Sequence, residues 1–250
     1  MSRLFLLLFA GLKFSKLFLM VGSMLLSIGV YALVFGWRYA VGFVVLLFVH
    51  EAGHLIAARQ RGLDVGLPTF IPFMGAWIQL KQRPHDAETE AYVGLGGPLL
   101  GTIGALICYF MARSYQLPWL LAVAYVGFFL NLFNLIPLPP LDGGRITAVL
   151  SPRIWLAGAG VLAMLLWYRF SPILLVVAVL SLPNILAAFR YRANDPAHQG
   201  YFQASLRVRW EYGIVYVVLL AFLAVMTNET DKMLHAGTFE PPATEDAQSL

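Results

Sequence analysis

Charge is scarce in this chain. Only 12% of its 250 residues are Asp, Glu, Lys or Arg, about half the share found in soluble domains. Hydrophobic residues make up 60%, and the mean hydropathy is +0.74. That balance excludes a soluble globular domain and identifies an integral membrane protein. Cysteine is nearly absent as well. Cys108 stands alone in an apolar run, so no intrachain disulfide can form and the compartment cannot be read from thiol usage. A cleavable leader is not expected either. The apolar run at 4–12 mimics one, but Lys13 and Lys16 follow at once without a convincing small-residue cleavage site, so the segment reads as retained or interfacial.

What is abundant is apolar sequence in lengths suited to a bilayer, which takes about 20 residues per helical span. Seven candidates follow from this: Leu17–Phe35, 39–58, 92–112, 119–136, 154–168, 172–189 and 212–226. The fifth is short and Pro172 follows closely, so the fifth and sixth are either full spans or one bent hairpin. The fold class expected is therefore an all-α polytopic membrane protein with about six to seven transmembrane helices. Basic residues are retained on the cytoplasmic side. With the N-terminus inside, 13 of the 17 fall on inner connections, leaving Arg38, Arg113, Arg169 and Lys232 outside. The net charge of +4 is thus a topology signal, and no nucleic-acid partner is inferred from it. Residues 1–228 form one membrane domain on this reading. The stretch 229–250, with Glu229, Asp231, Glu240, Glu245 and Asp246 beside Pro241 and Pro242, reads as an acidic disordered tail.

Within the second span lies VHEAGH, placing His50, Glu51 and His54 where ionisable groups are costly and mark function by default. On a helix His50 and His54 share a face. This is the H-E-x-x-H arrangement, in which two imidazoles bind zinc and the glutamate serves as base toward an activated water. With five histidines and seven glutamates in 250 residues, a chance match is expected at about 3 in 1,000, a false-positive risk worth stating for any motif. The bland alternative makes each histidine a packing residue and pairs Glu51 with Arg59, but that leaves two imidazoles needing separate partners. A catalytic zinc takes a third protein ligand. His85, His198 and His235 lie in expected loops or the tail, whereas Asp142 follows Pro137, Pro139 and Pro140 at the end of the fourth span. It is expected in unwound backbone in the same half of the membrane as His54.

HEAGH, together with Asn134, Pro137, Leu141, Asp142 and Gly143 in the pattern N-x-x-P-x-x-x-L-D-G, resembles the site-2 protease family of intramembrane zinc metalloproteases. The Gly96-Gly97-Pro98 run matches a further small-residue signature of that family. The resemblance covers about 41–146 and implies a three-helix catalytic core at about 39–146. It implies one zinc per chain held by His50, His54 and Asp142, with Glu51 as general base and then general acid. It also places Asn134 near the metal, as an oxyanion donor or as a structural bond to the unwound backbone. Asn131 reads as a helix–helix polar contact. No PDZ-like or CBS-type domain fits in the loops or after the last span, so a compact member is expected.

Gly94, Gly96, Gly97, Gly101 and Gly104 crowd the third span and read chiefly as close helix packing, with a water path as the lesser alternative. Between the second and third spans, 69–71 and 76–80 are short β-prone runs punctuated by Pro68, Pro72 and Gly75. They are expected to form a small re-entrant β-hairpin whose edge accepts an unwound substrate as an added strand, or else an aromatic interfacial loop. The partners expected are single-span membrane proteins and the lipid bilayer, in a bacterial inner membrane. Rival readings are a prenyl-protein type zinc protease, for which Glu211 would be the third ligand, a non-proteolytic metal carrier, and a silent binder of membrane segments.

Overall fold

In the computed structural model of the chain, residues 3–72, 75–77, 84–192 and 200–236 are described. Eight α-helices carry the fold among them: α1 (Arg3–Phe35), α2 (Trp37–Gln60), α3 (Ala87–Tyr115), α4 (Pro118–Asn134), α5 (Asp142–Ala148), α6 (Trp155–Tyr168), α7 (Pro172–Arg190) and α8 (Leu206–His235). Five helices are long and apolar enough to cross a membrane, and α4 and α6 are shorter apolar helices. The chain is a multi-pass integral membrane protein. A helix covers each of the seven apolar stretches expected from sequence, except that the fourth ends at Asn134, and α6, of 14 residues, and α7 are two helices divided at 169–171. The 4–12 segment is continuous with the first span in α1.

Local chemistry sets the helix boundaries. Gly36, at φ +84°, breaks α1 from α2 in a backbone region that side chains rarely adopt. Asp86 caps α3 by accepting the Thr89 amide at 2.7 Å, with Glu88 and Glu90 in the positive first turn. Pro118 and Pro172 open α4 and α7, where a missing N–H costs nothing. Ser205 caps α8 at the Val208 amide. The last helix runs past the expected span end and carries Glu229 and Asp231 in regular structure, where a disordered tail was expected from 229. The rest of that tail, 237–250, lies outside the described residues.

Helices α2, α3 and α4 pack against one another, and α5 lies against α3. Val44, Val93, Leu121, Phe128, Leu135, Leu138 and Ile146 are fully enclosed there. α1 leans on α2 and on the small sheet. That sheet is one antiparallel pair, β1 (Thr69–Ile71) and β2 (Gly75–Trp77), with Phe70 opposite Ala76. Phe70 is buried against Tyr31, Val44 and Leu47, and its amide donates to Ser23 Oγ on α1 at 3.1 Å. The outer edge of β1 is therefore taken by α1. The expected second run is described only to Trp77, because 78–80 lie outside the described residues.

Candidate metal centre

His50 and His54 are one helical turn apart on α2, and both imidazoles face inward, at 3% and 7% exposure. Their Nε2 atoms are 3.1 Å apart. Asp142 Oδ2 lies 3.2 Å from each of them. Among the described residues these three form the single group of His, Cys, Asp or Glu close enough to hold a metal ion. The remaining sequence candidates are elsewhere. His85 is exposed, and His235 is exposed and paired with Asp231 on its own helix. Glu211, the third ligand of the prenyl-protease reading, is 55% exposed and bonded to Arg207 at 2.7 Å. His198 lies outside the described residues.

The tautomers follow from the partners. His50 Nδ1 is 2.8 Å from Asn131 Oδ1, and the same amide donates through Nδ2 to the Gly127 carbonyl at 2.7 Å, which fixes which end faces the ring. His54 Nδ1 is 2.8 Å from the Val93 carbonyl. Both partners only accept, so both imidazoles carry their proton on Nδ1 and turn an Nε2 lone pair inward. Two such lone pairs and a carboxylate oxygen, all within 3.2 Å, repel one another unless a cation lies among them. The spacing suits a small divalent ion: tetrahedral Zn–N and Zn–O bonds of about 2.0–2.1 Å put ligand atoms roughly 3.3 Å apart. The donor set, two nitrogens and an oxygen, fits that metal.

The fold clears room for these side chains. A Cβ at Gly97 would overlap the His54 ring, one at Gly101 would overlap the Asn131 amide, and Gly53 and Gly96 meet backbone to backbone. The glycine stripe of α3 thus serves close helix packing, as expected, and also leaves space for the His54 ring and for the amide that bonds His50. On the opposite wall, 135–141 is unwound and Asp142 is the first residue of α5, so the turn before it is irregular while the aspartate itself opens a helix. Gly143 and Gly144 sit against the Leu135, Ile136 and Pro139 backbone where a Cβ would collide. Tyr216 donates to the Leu135 carbonyl at 2.6 Å, tying the unwound stretch to α8, and Trp155 Nε1 donates to the Gly144 carbonyl at 2.9 Å, tying α5 to α6.

Glu51 is half-buried beside the pair and has no hydrogen bond or ion pair among the described residues. No contact to Arg59, which is exposed, competes for it. Asn134 is half-buried and makes no side-chain hydrogen bond among the described residues. Asn131, one turn earlier and 2% exposed, is the asparagine that bonds His50. Sequence reading missed Arg145, Glu90 and Tyr201. Arg145 Nη1 is 3.6 Å from Asp142 Oδ1 and its Nε is 3.8 Å from Glu90 Oε1. The Tyr201 hydroxyl donates to Glu90 Oε2. Burial, with the Glu90 carboxylate adding to it, holds the Tyr201 phenol above its usual range, so the hydroxyl remains a donor. The position of Arg145 in D-G-G-R was the available signal for the first, whereas Glu90 and Tyr201 are brought in only by tertiary packing.

The chain is similar to known proteins. A zinc metalloprotease of Methanocaldococcus jannaschii is 28% identical over 152 residues, 57% of this chain and 44% of that protein. The Rip3 protein of Mycobacterium tuberculosis is 31% identical over 134 residues, 48% of this chain and 33% of that protein. The chain thus spans less than half the length of these curated relatives. Among solved structures, the site-2 protease from Methanocaldococcus jannaschii superposes with a TM-score of 0.45 at 21% identity, covering 69% of this chain and 88% of that one. The sequence model of peptidase family M50 matches residues 38–118 and 112–178, more than half of the chain and both motif regions, and the chain belongs to peptidase family M50.

Proposed function

We propose that this protein is a zinc-dependent intramembrane endopeptidase that hydrolyses peptide bonds in transmembrane segments of single-span membrane proteins. The observation that carries the reading is the convergence of His50 Nε2, His54 Nε2 and Asp142 Oδ2 within 3.2 Å, with both Nδ1 atoms already committed elsewhere. Zinc is the metal favoured by that donor set, and the Methanocaldococcus relative is named a zinc metalloprotease. A zinc ion bound there supplies Lewis-acid chemistry, polarising the scissile carbonyl and making water acidic enough to attack near neutral pH.

Glu51 takes the proton from the attacking water and returns it to the leaving amine. Its place next to both imidazoles and its lack of another partner among the described residues support that role. Asn131 holds His50 in the tautomer that presents Nε2. Asn134, at the end of α4 with its amide uncommitted among the described residues, is the candidate donor to the oxyanion. A helical substrate must unwind before attack, and unwound backbone needs new hydrogen-bond partners inside the membrane. The edge of β2 opposite β1 suits this use, since α1 covers the edge of β1. The positive-inside count favours a cytoplasmic N-terminus, in a bacterial inner membrane.

A metal carrier would need the same ligands but not Glu51. The deciding experiment reconstitutes the purified protein in vesicles with a single-span peptide. Cleavage that stops with a chelator, returns with zinc and is lost in Glu51→Gln supports the protease. Zinc uptake without cleavage favours the carrier.

A further inference from the structure

The metal-ligating carboxylate is held from behind by a chain of side chains that reaches the connection between α7 and α8. Asp142 Oδ2 faces the histidines while Oδ1 is turned toward Arg145. Arg145 follows Asp142 by three residues, which puts both on one side of α5. α5 lies close enough for this because α3 has Gly94 at the crossing: a Cβ there would press on Arg145 Cβ and Ile146 Cγ1 at 3.2 Å and on the Asp142 carbonyl at 3.4 Å. Glu90, one turn before Gly94 on the same face of α3, meets Arg145 Nε. Tyr201 then closes the chain onto Glu90. Its own carbonyl accepts the Ala87 amide at 2.8 Å, and Arg209 bonds the carbonyls of Phe202, Ala204 and Leu150, so the 200–205 segment is fastened beside the start of α3.

Each link has a distinct electrostatic consequence. A carboxylate beside a divalent cation can ligate through one oxygen or both. Arg145 at Oδ1 favours one, which keeps positions at the metal open for water and substrate. An arginine 3.6 Å from a ligand also repels the cation that the ligand binds. Glu90 offsets that repulsion. The side chains are only 19% and 26% exposed, so solvent screens the pair less than at a surface.

We propose that Glu90 and Tyr201 are positioning residues for the metal centre, acting through Arg145: Arg145 fixes Asp142 in one-oxygen ligation, Glu90 neutralises Arg145, and Tyr201 orients Glu90. The inference rests on the metal-centre reading above. It makes the 200–205 segment part of the site, although among the described residues that segment supplies no ligand.

Zinc affinity of the full-length protein in detergent, measured by chelator competition, tests it without reference to cleavage. Glu90→Gln is expected to weaken zinc binding about 10-fold, the low end for partners of metal ligands. Tyr201→Phe, which removes one hydroxyl and keeps the ring, is expected to weaken it in the same direction by about 3-fold. In an Arg145→Gln background the Glu90→Gln effect shrinks to under about 2-fold, because the charge it neutralises is gone. The visible spectrum of the cobalt-substituted Arg145→Gln protein shifts as the carboxylate changes its mode of ligation. Unchanged affinity in both Glu90→Gln and Tyr201→Phe, or an undiminished Glu90→Gln effect without Arg145, overturns the inference while leaving the metal centre standing. Absence of zinc binding in the wild-type protein overturns the metal centre and this inference together.

Discussion

The His54 imidazole fills the volume that a side chain at position 97 would need: Gly97 on α3 lies against the ring, and an added Cβ would overlap its Nε2, Cε1 and Cδ2 atoms. The relationship reverses an ordinary rule. Alanine in place of a helical glycine usually stabilises by up to about 1 kcal/mol. Here it must push the His54 ring out of place or separate two helices, and overpacking of that kind costs about 1–3 kcal/mol. Gly97→Ala is expected to lower zinc affinity at least about 10-fold. Gly160→Ala, on α6 with open space around it, leaves affinity unchanged. Competition titration of the two proteins compares them directly.

Among the described residues, Glu51 is the one member of H-E-x-x-H whose side chain has no hydrogen-bond or ion-pair partner. Glu51→Gln is therefore expected to keep one zinc per chain while cleavage falls by about 10²–10⁴-fold, the range for removing a general base. Metal analysis alongside a cleavage assay checks both halves. Loss of zinc in this variant would mean that Glu51 is a ligand, and retained cleavage would mean that it is not the base.

Asn131 accepts from His50 and donates to Gly127. Asn131→Leu leaves the buried Nδ1–H of His50 without a partner, a cost of about 1–3 kcal/mol, and frees the ring to change tautomer. Zinc affinity is expected to fall about 10–100-fold. Asn134→Leu spares zinc affinity and lowers the turnover rate, since its proposed role is at the oxyanion. If the two substitutions act alike on metal binding, the separate roles are wrong.

The register of the small sheet makes a prediction about substrate. The Phe70 amide points away from β2, toward Ser23, so Phe70 and Ala76 form a pair that does not exchange hydrogen bonds. The Ala76 amide thus faces the outer edge of β2, where an added strand would bond. Ala76→Pro removes that donor without removing a bond between β1 and β2, and proline is tolerated on such an edge. Cleavage of a helical membrane peptide is expected to drop about 5–10-fold, in line with one lost hydrogen bond, with zinc content unchanged. Full cleavage by this variant would count against strand addition.

Much of this was legible in the sequence because membrane constraints are severe. Seven apolar stretches became helices. The i, i+4 spacing of His50 and His54 fixed their shared face before any packing was known. Asp142 could be matched to them because the topology expected from the basic residues puts both motifs in the same half of the membrane. What depended on how helices approach one another was not legible. Asn131 and Asn134 differ by less than one turn, and only the rotation of α4 decides which amide meets His50. Glu90 and Tyr201 lie far from either motif in the chain and enter through the contact of α5 with α3 at Gly94. The helical continuation through Glu229 and Asp231 was missed because acidic residues after an apolar span read as tail, although Lys232 and His235 pair with them at helical spacing.

X-ray absorption at the zinc edge of the purified protein tests the central claim most directly. One zinc per chain is expected, with two imidazole nitrogens and a carboxylate oxygen in its inner shell, one imidazole being lost in His54→Ala and the carboxylate in Asp142→Asn. A zinc environment that Asp142→Asn leaves unaltered, or no stoichiometric zinc at all, would contradict it.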